Sequence, residues 1–254
     1  MDRAAVLIDA RGVGVRFQFD RARRVVTPMA ARLRRHGDET WGLRDVDIVV
    51  RPGQAVALLG RSGSGKTTLL RLLAGVLPAD AGGVEVARPV GALLAADAGL
   101  LHPLTGRENA ALLAALHGIP RRDVGAAIER AAEFSELGPA FDRPVAAWSQ
   151  GMRARLGLAV ALTAEPRVLL LDEVHEALDG QFRTRLREKV DEVRARGGAV
   201  VAAGHDLALL GDLCDEALLF ERGRCIARNR FEAIVSATPP RRLYDEPRRA
   251  STAS

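Results

Sequence analysis

The chain has 254 residues, of which 48% are hydrophobic, and a formal net charge of +5. This apolar content is sufficient for a core and excludes disorder over most of the length. Only 4% of the residues are aromatic, which argues against a nucleic-acid partner that binds by base stacking. No stretch reaches the roughly 18–20 apolar residues that span a bilayer. The two cysteines, Cys214 and Cys225, have neither zinc-site nor disulfide-framework spacing, so a reducing cytoplasm is expected.

The first part of the chain carries short β-like runs separated by glycine and proline. These runs lie at residues 6–8, 13–19, 46–50 and 55–59. An arginine-rich insertion, residues 21–39, lies between the second and the third. It is either a solvated surface loop or a contact with anionic lipid headgroups or a membrane partner, and the sequence leaves both interpretations open.

From Gly60 onward, strand and helix patterns alternate. Helices are predicted at about residues 66–76 and 180–196, and strands at residues 168–171 and 199–203. This alternation is typical of a parallel sheet with helices on its faces.

The middle of the chain is predicted to be mostly helical, with a helical insertion at about residues 100–164. Thr105 and Glu108 have the spacing of a capping box that begins one helix. The last residues, 239–254, are rich in Pro, Arg, Ser and Thr and are predicted to be disordered.

A glycine-rich motif follows the strand pattern at residues 55–59. Residues 60–67 match G-x-x-x-x-G-K-[ST] at every position and precede an amphipathic helix. Glycines let successive N–H groups converge on phosphate oxygens, and the helix N-terminus adds positive charge. Lys66 is one of only two lysines among 37 basic residues, which indicates that a guanidinium would not serve there. The alternative interpretation is an ordinary turn before a helix. The predicted nucleotide contacts are Gly60, Arg61, Ser62, Gly63, Ser64, Gly65, Lys66, Thr67 and Thr68.

Polar residues end the two later strand patterns. Asp172 is predicted to hold Mg²⁺ together with the Thr67 hydroxyl, and Glu173 to orient and deprotonate a water molecule. His205 follows the strand at residues 199–203 and would reach a γ-phosphate. With Lys66, Glu173 and His205 form the predicted catalytic set. The alternatives are an acidic pair that merely caps a strand and a solvent-facing loop histidine.

Over about residues 5–230, these motifs resemble the nucleotide-binding domain of ATP-binding-cassette (ABC) transporters in order and spacing. The most specific similarity is WSQGM at residues 148–152, where the family has its signature motif, usually LSGGQ. Ser149 could cap the helix that follows, and Gly151 would let the backbone approach an anion; a capped core helix is the alternative. The resemblance implies an α/β P-loop NTPase (RecA-like) core with a mixed sheet, an N-terminal antiparallel β-subdomain and an inserted α-helical subdomain, within residues 1–238.

The resemblance also implies cofactors and partners. ATP and Mg²⁺ would bind at the interface of a head-to-tail homodimer, with Ser149 and Gly151 on the γ-phosphate bound to the other subunit. Asp179 matches the D-loop, which couples the two sites. An integral membrane permease would be a separate chain, and the ATPase would lie peripherally at the cytoplasmic face of the cell (inner) membrane.

The resemblance also implies an aromatic residue that stacks on adenine and a glutamine in the Q-loop. Phe17 is the candidate to stack on adenine, while Phe19 or Trp41 could serve instead, and each could be a core aromatic. The Q-loop glutamine is expected near Ala96, where the chain has none; either Asp97 organises metal and water or the contact is dispensable.

The segment 97–106 is expected to form the surface groove that receives a permease helix. Leu100, Leu101 and Leu104 are expected to be exposed there, although core packing could also account for them.

Three departures from the general family pattern resemble the polysaccharide, O-antigen and teichoic-acid exporters. They are the SxGM form of the signature, HPLTGREN at residues 102–109 and LDEVHEALDGQF at residues 171–182. The leading hypothesis is ATP hydrolysis coupled to export of a polysaccharide or lipid-linked glycopolymer. The ATPase of a drug, peptide or lipid exporter, or a nucleotide-gated module with little hydrolysis, are the alternatives. DNA-linked or ribosome-associated ABC ATPases need coiled coils, zinc modules or a second cassette, for which the chain leaves no room.

Overall fold

The structure is a computed structural model that describes residues 6–20, 25–28, 38–94, 99–173 and 179–243. Ala96, Asp97 and most of the basic insertion therefore lie outside the described residues. The elements in chain order are β1 Ile8–Asp20, β2 Val25–Pro28, β3 Asp38–Val50, β4 Ala55–Leu59, α1 Lys66–Leu73, β5 Ala81–Val86, β6 Val90–Leu93, α2 Gly106–Leu116, α3 Val124–Ser135, α4 Gln150–Thr163, β7 Val168–Asp172, α5 Gly180–Ala195, β8 Ala199–Ala203, α6 Leu207–Leu213, β9 Glu216–Glu221, β10 Arg224–Arg230, α7 Phe231–Ala237 and α8 Pro240–Leu243.

Two sheets form the framework. In the first, β1 pairs antiparallel with β3 on one edge and with β2 and β5 on the other. The second has the order β10-β9-β4-β8-β7-β6, with every pair parallel except β10 with β9. The carboxyl ends of β4, β7 and β8 therefore lie along one edge, as the strand–helix alternation predicted. The α/β fold with a mixed sheet and an antiparallel β-subdomain is confirmed.

The mixed sheet is buried on both faces. Alternate residues of β4 and its neighbours pack towards the antiparallel sheet and α1, and the others pack towards α4, α5 and α6. This two-sided burial explains why the strands are continuous apolar runs rather than alternating patterns.

Helix α4 joins the helical insertion to the sheet. Its Ala154 and Leu158 pack in the cluster under α5, whereas Leu156 and Val160 pack with α2 and α3 in a separate cluster. An amphipathic helix would serve only one of these clusters, so α4 is apolar on almost every side.

Composition predicted disorder from residue 239 onward, and this prediction is wrong for residues 240–243. Residues 240–243 form the short helix α8, and Leu243 is buried in the same cluster as Phe231 and Ile234 of α7. Arg242 pairs with Glu221 of β9. One buried leucine and one ion pair keep this segment against the sheet, and residues 244–254 lie outside the described residues.

No helix within the described residues is long and apolar enough to cross a bilayer.

The predicted capping box at the start of α2 is confirmed. The Glu108 N–H donates to the Thr105 hydroxyl at 3.2 Å, and the Thr105 N–H donates to the Glu108 carboxylate at 2.8 Å. The backbone and hydroxyl donors of Thr105 lower the pKa of Glu108. This carboxylate therefore stabilises the helix at neutral pH, and the contribution is lost as the pH falls through the lowered pKa.

We expect Thr105→Ala to lower the free energy of unfolding by about 1 kcal/mol, because the first turn of α2 loses its cap. For a chain of this size, the melting temperature should fall by about 2–4 °C, measured by calorimetry at neutral pH. Thr184→Ala is the matched control, since the exposed Thr184 hydroxyl only bonds the Gly180 carbonyl within α5. Equal melting temperatures for both variants would show that the box contributes nothing.

Candidate functional site

The loop between β4 and α1 is held closed by the lysine that follows it. The Lys66 ammonium, 5% exposed, donates to the Gly60 carbonyl at 2.5 Å and to the Arg61 carbonyl at 3.1 Å. The Ser64 N–H also donates to the Arg61 carbonyl, at 3.1 Å. The loop therefore curls around one cation at the N-terminus of α1, a geometry suited to a phosphate chain.

Two glycines of this loop lie against other backbone segments. At Gly60, with φ of 135°, a Cβ would lie 2.3 Å from the Phe220 carbonyl oxygen of β9. At Gly65, with φ of 113°, it would lie 2.8 Å from the Gly42 carbonyl oxygen of β3. The Gly223 N–H, in the β9–β10 turn, also donates to the Ser64 carbonyl at 2.8 Å. Gly60 and Gly65 therefore must be glycines for two reasons: a side chain would clash with the neighbouring backbone, and the positive φ disfavours other residues.

Asp172, at the carboxyl end of β7, is suited to hold a divalent cation. It is 4% exposed, and its Oδ1 atom has no hydrogen-bond partner in the described part of the chain. Burial raises the pKa of Asp172, while a hydrogen bond with Thr67 lowers it, the Glu173 charge raises it and the Lys66 charge lowers it. Oxygen ligands from Asp172 and Thr67 fit Mg²⁺. No group of three or more potential metal-binding side chains occurs among the described residues, so phosphates and water would supply the other ligands.

Glu173 and His205 meet beside this carboxylate. Glu173 has a φ of 51°, in the left-handed region, and its N–H donates to the Ala203 carbonyl of β8 at 2.9 Å. Its half-exposed carboxylate lies 3.3 Å from Nε2 of His205. A strained residue at a strand end is typical of functional sites, and here it sets a carboxylate and an imidazole side by side.

The signature-like segment and the residue that matches the D-loop both cap helices. The Ser149 hydroxyl accepts from the Met152 N–H at 3.2 Å at the start of α4, and Gly151 lies half-buried in the first turn. The Asp179 carboxylate accepts from the Phe182 N–H at 2.9 Å at the start of α5 and pairs with Arg155 of α4. The predicted cap at Ser149 is confirmed.

The structure separates the aromatic candidates. The half-buried Phe17 ring packs beside Gly42, where a Cβ would lie 2.3 Å from the ring, and the Thr68 methyl lies on the same side. Trp41 packs on Gly14 and under the Arg16 guanidinium, 5.2 Å from its ring centre. Phe17 is therefore the candidate next to the phosphate loop; the side chain of Phe19 lies outside the described residues.

One expectation about the segment 97–106 is wrong. Leu100 is 7% exposed because it packs in the cluster of the helical insertion, while Leu101 is 50% exposed and Leu104 is half-buried. An apolar cavity of about 540 Å³ lies nearby, between β6, the end of α1 and α2. Its rim carries the exposed side chains of Val76 and Leu116.

The sequence interpretation missed three residues that support the site. Gly42 lies inside a strand, and an isolated strand glycine is a signal of close backbone approach that could have identified it. Arg183 pairs with Asp206, next to His205, at 2.8 Å, and Arg155 pairs with Asp179. These pairs join residues more than 20 positions apart, and no local pattern indicates them.

Comparison with known proteins agrees with this geometry. The model of the ABC transporter family matches residues 43–176. The chain is 37% identical over 199 residues to the O-antigen export system ATP-binding protein RfbB of Klebsiella pneumoniae, covering 78% of this chain and 81% of the relative. It is 32% identical over 195 residues to the teichoic acids export ATP-binding protein TagH of Lactococcus lactis subsp. lactis, covering 77% of this chain and 42% of the relative.

Solved structures share the fold. A dimeric, post-hydrolysis structure of the ATP-binding cassette MJ0796 bound to ADP and Pi has a TM-score of 0.73 at 17% identity, covering 88% of this chain and 98% of the other. The ATP-binding subunit of an ABC transporter has a TM-score of 0.70 at 21% identity, covering 91% and 92%. The fold is that of an ATP-binding cassette. The chain belongs to the ABC transporter family, as its motifs predicted.

Gly60→Ala and Gly63→Ala should differ in stability. Both positions have a positive φ, 135° and 75°, so each substitution should cost about 1–3 kcal/mol of backbone strain. Only Gly60 faces backbone, whereas nothing lies within 4 Å of a Cβ at Gly63. We expect Gly60→Ala to cost a further ~1–3 kcal/mol in urea unfolding. Equal losses would show that the loop does not rest on β9.

Proposed function

We propose that this chain is the ATP-binding and ATP-hydrolysing subunit of an ABC transporter that energises export of a polysaccharide or lipid-linked glycopolymer through a separate membrane permease. One observation carries the proposal: a complete P-loop closed around Lys66 lies beside an acidic pair, Asp172 and Glu173, at the end of a strand in the same sheet. The relatives named for O-antigen and teichoic acid export support the type of substrate.

Each residue of the site has a role in this proposal. Lys66 and the loop N–H groups bind the β- and γ-phosphates and hold them in one orientation. Thr67 and Asp172 hold Mg²⁺, which, when bound, neutralises charge on the phosphates. Glu173 orients a water molecule and accepts its proton at the carboxylate. His205, in contact with that carboxylate, donates towards the γ-phosphate.

A homodimer would complete the site. Ser149 caps α4 and Gly151 lies in its first turn. The preceding residue, Trp148, packs in the cluster of the helical insertion, while α1 packs in the cluster beneath the antiparallel sheet. The two phosphate-binding elements thus belong to different packing units of one chain. In a head-to-tail pair, the N-terminus of α4 would face the γ-phosphate bound to the partner, with Asp179 beside it.

The proposed membrane contact is the apolar groove between β6 and α2. The exposed side chains of Val76 and Leu116 line it, and exposed apolar side chains that cluster together mark interaction sites. A cytoplasmic helix of the permease would dock there, and the subunit would then lie at the cytoplasmic face of the cell (inner) membrane.

Lys66→Ala and Glu173→Gln should have different effects. Lys66→Ala should weaken ATP binding, because the β- and γ-phosphates lose their nearest cation. Glu173→Gln should keep binding and lower turnover by roughly a hundredfold or more, the scale for loss of a general base. Equilibrium binding of ATP and phosphate release, each with and without Mg²⁺, measure the two effects.

Lys189→Ala is the matched control, since this half-exposed lysine pairs with Glu192 far along α5. It should behave as the wild type. Equal loss of binding in the Lys66 and Glu173 variants would contradict the assigned roles. Normal ATP binding with no phosphate release by the wild type would instead favour a nucleotide-gated module.

Dimerisation should depend on ATP. We expect the Glu173→Gln chain to double its mass by light scattering when ATP is added, because hydrolysis no longer opens the sandwich. Adding Gly151→Glu should abolish the doubling but not nucleotide binding, since a carboxylate would then face the γ-phosphate. Gly125→Glu, on the open side of α3, is the control and should still dimerise. A monomer with ATP bound at high protein concentration would contradict the sandwich.

A further inference from the structure

A second cavity, of about 360 Å³, lies on the outer side of the P-loop. We call it the outer cavity; it is bounded by the P-loop tip at residues 61–64, the end of β9 with its turn at residues 219–222, and Arg241 and Arg242 of α8. In the mixed sheet, β9 and β8 flank β4 on opposite sides, and Asp172 lies beyond β8 on β7. The outer cavity is therefore on the side of the loop away from the catalytic carboxylates.

The lining of the outer cavity is strongly basic. Four arginines from three separate segments line it, Arg61, Arg222, Arg241 and Arg242, against a single carboxylate, Glu221. Arg242 pairs with Glu221, and this hydrogen bond lowers the pKa of Glu221, which is therefore ionised at neutral pH. Arginines therefore outnumber carboxylates four to one among the described residues that line the cavity.

The cavity also has a buried floor. Phe220 and Ser64 lie there, 1% and 6% exposed, and the Ser64 hydroxyl has no hydrogen-bond partner within the described residues. A concave, basic pocket is suited to a small anion rather than to a flat membrane surface.

The same residues contact the loop that holds Lys66. The Gly223 N–H, next to Arg222, donates to the Ser64 carbonyl, and the Arg61 carbonyl accepts from Lys66. A ligand that draws Arg61 and Arg222 together would act directly on the backbone of the P-loop.

We propose that the outer cavity binds a small soluble polyanion that carries at least two phosphate groups. Arginine forks match phosphate oxygens in pairs, and four of them from three segments suit more than one phosphate. The volume is at the lower end of the range for ligand pockets, which fits a molecule between pyrophosphate and a nucleotide in size. This site is distinct from the proposed ATP site on the other side of the loop.

The test is calorimetric titration of the full chain with pyrophosphate while saturating ADP occupies the P-loop. We expect binding of one pyrophosphate per chain, weakened at least about tenfold in the double variant Arg222→Glu/Arg241→Glu, because two charge-assisted contacts become repulsive. Arg242 is left unchanged so that its pair with Glu221 keeps α8 in place. The double variant Arg121→Glu/Arg122→Glu, exposed on the α2–α3 connection, carries the same charge change and should bind as the wild type.

The melting temperature and ADP affinity of each variant show whether it is folded. Folded variants that bind pyrophosphate equally would overturn the proposal, as would no binding to the ADP-saturated wild type. A parallel arm uses phosphatidylglycerol vesicles, with phosphatidylcholine vesicles as reference. Binding to phosphatidylglycerol that is lost in Arg222→Glu/Arg241→Glu, without any binding of free pyrophosphate, would overturn the assignment to a soluble ligand and indicate a lipid headgroup.

Discussion

The site depends on the close backbone contact between the P-loop and the two sheets. Gly60 rests on a carbonyl of β9 in the mixed sheet, and Gly65 rests on a carbonyl of β3 in the antiparallel sheet. Neither contact leaves room for a side chain, and Lys66 bonds the loop from within. The phosphate site is thus shaped by both sheets at once, so a shift of one sheet against the other would deform it.

The second constraint is the double burial of α4. Because residues of α4 pack in two clusters, this one helix connects the helical insertion to the sheet. Ser149 and the first turn of α4 are therefore placed by the packing of the whole helix rather than by their own loop. The Arg155–Asp179 pair adds a contact from α4 to the start of α5. In the proposed dimer, these elements would face the partner as one unit.

The elements next to the motifs could be predicted from the sequence. Strands β4, β7 and β8 are buried apolar runs that end in glycine or polar residues, and the cap at Thr105 is a local signal. β1 was predicted as two runs because its register shifts between Ala10 and Val15 interrupt the apolar pattern. The helix predicted to reach residue 76 ends at Leu73, since Gly75 takes a φ of 80°.

Contacts between distant segments could not be predicted. The sequence identifies Glu173 and His205 separately, but their contact depends on β7 and β8 being neighbours, which no local pattern encodes. The order of α8 depends on one leucine reaching the core, and composition alone indicated a disordered tail. Leu100 and Leu101 differ in burial although they are adjacent and chemically identical, because only the packing of α2 distinguishes them.

A crystal structure of the Glu173→Gln chain grown with ATP and Mg²⁺ would test directly whether two chains enclose ATP between the P-loop of one and Ser149 of the other. We expect two chains in a head-to-tail pair, with the β- and γ-phosphates on Lys66 and the loop N–H groups, and Mg²⁺ between Thr67 and Asp172. Ser149 of the other copy should lie within hydrogen-bond distance of the γ-phosphate. ATP bound away from the P-loop, or on the P-loop with Ser149 of the other copy far from its γ-phosphate, would contradict the account.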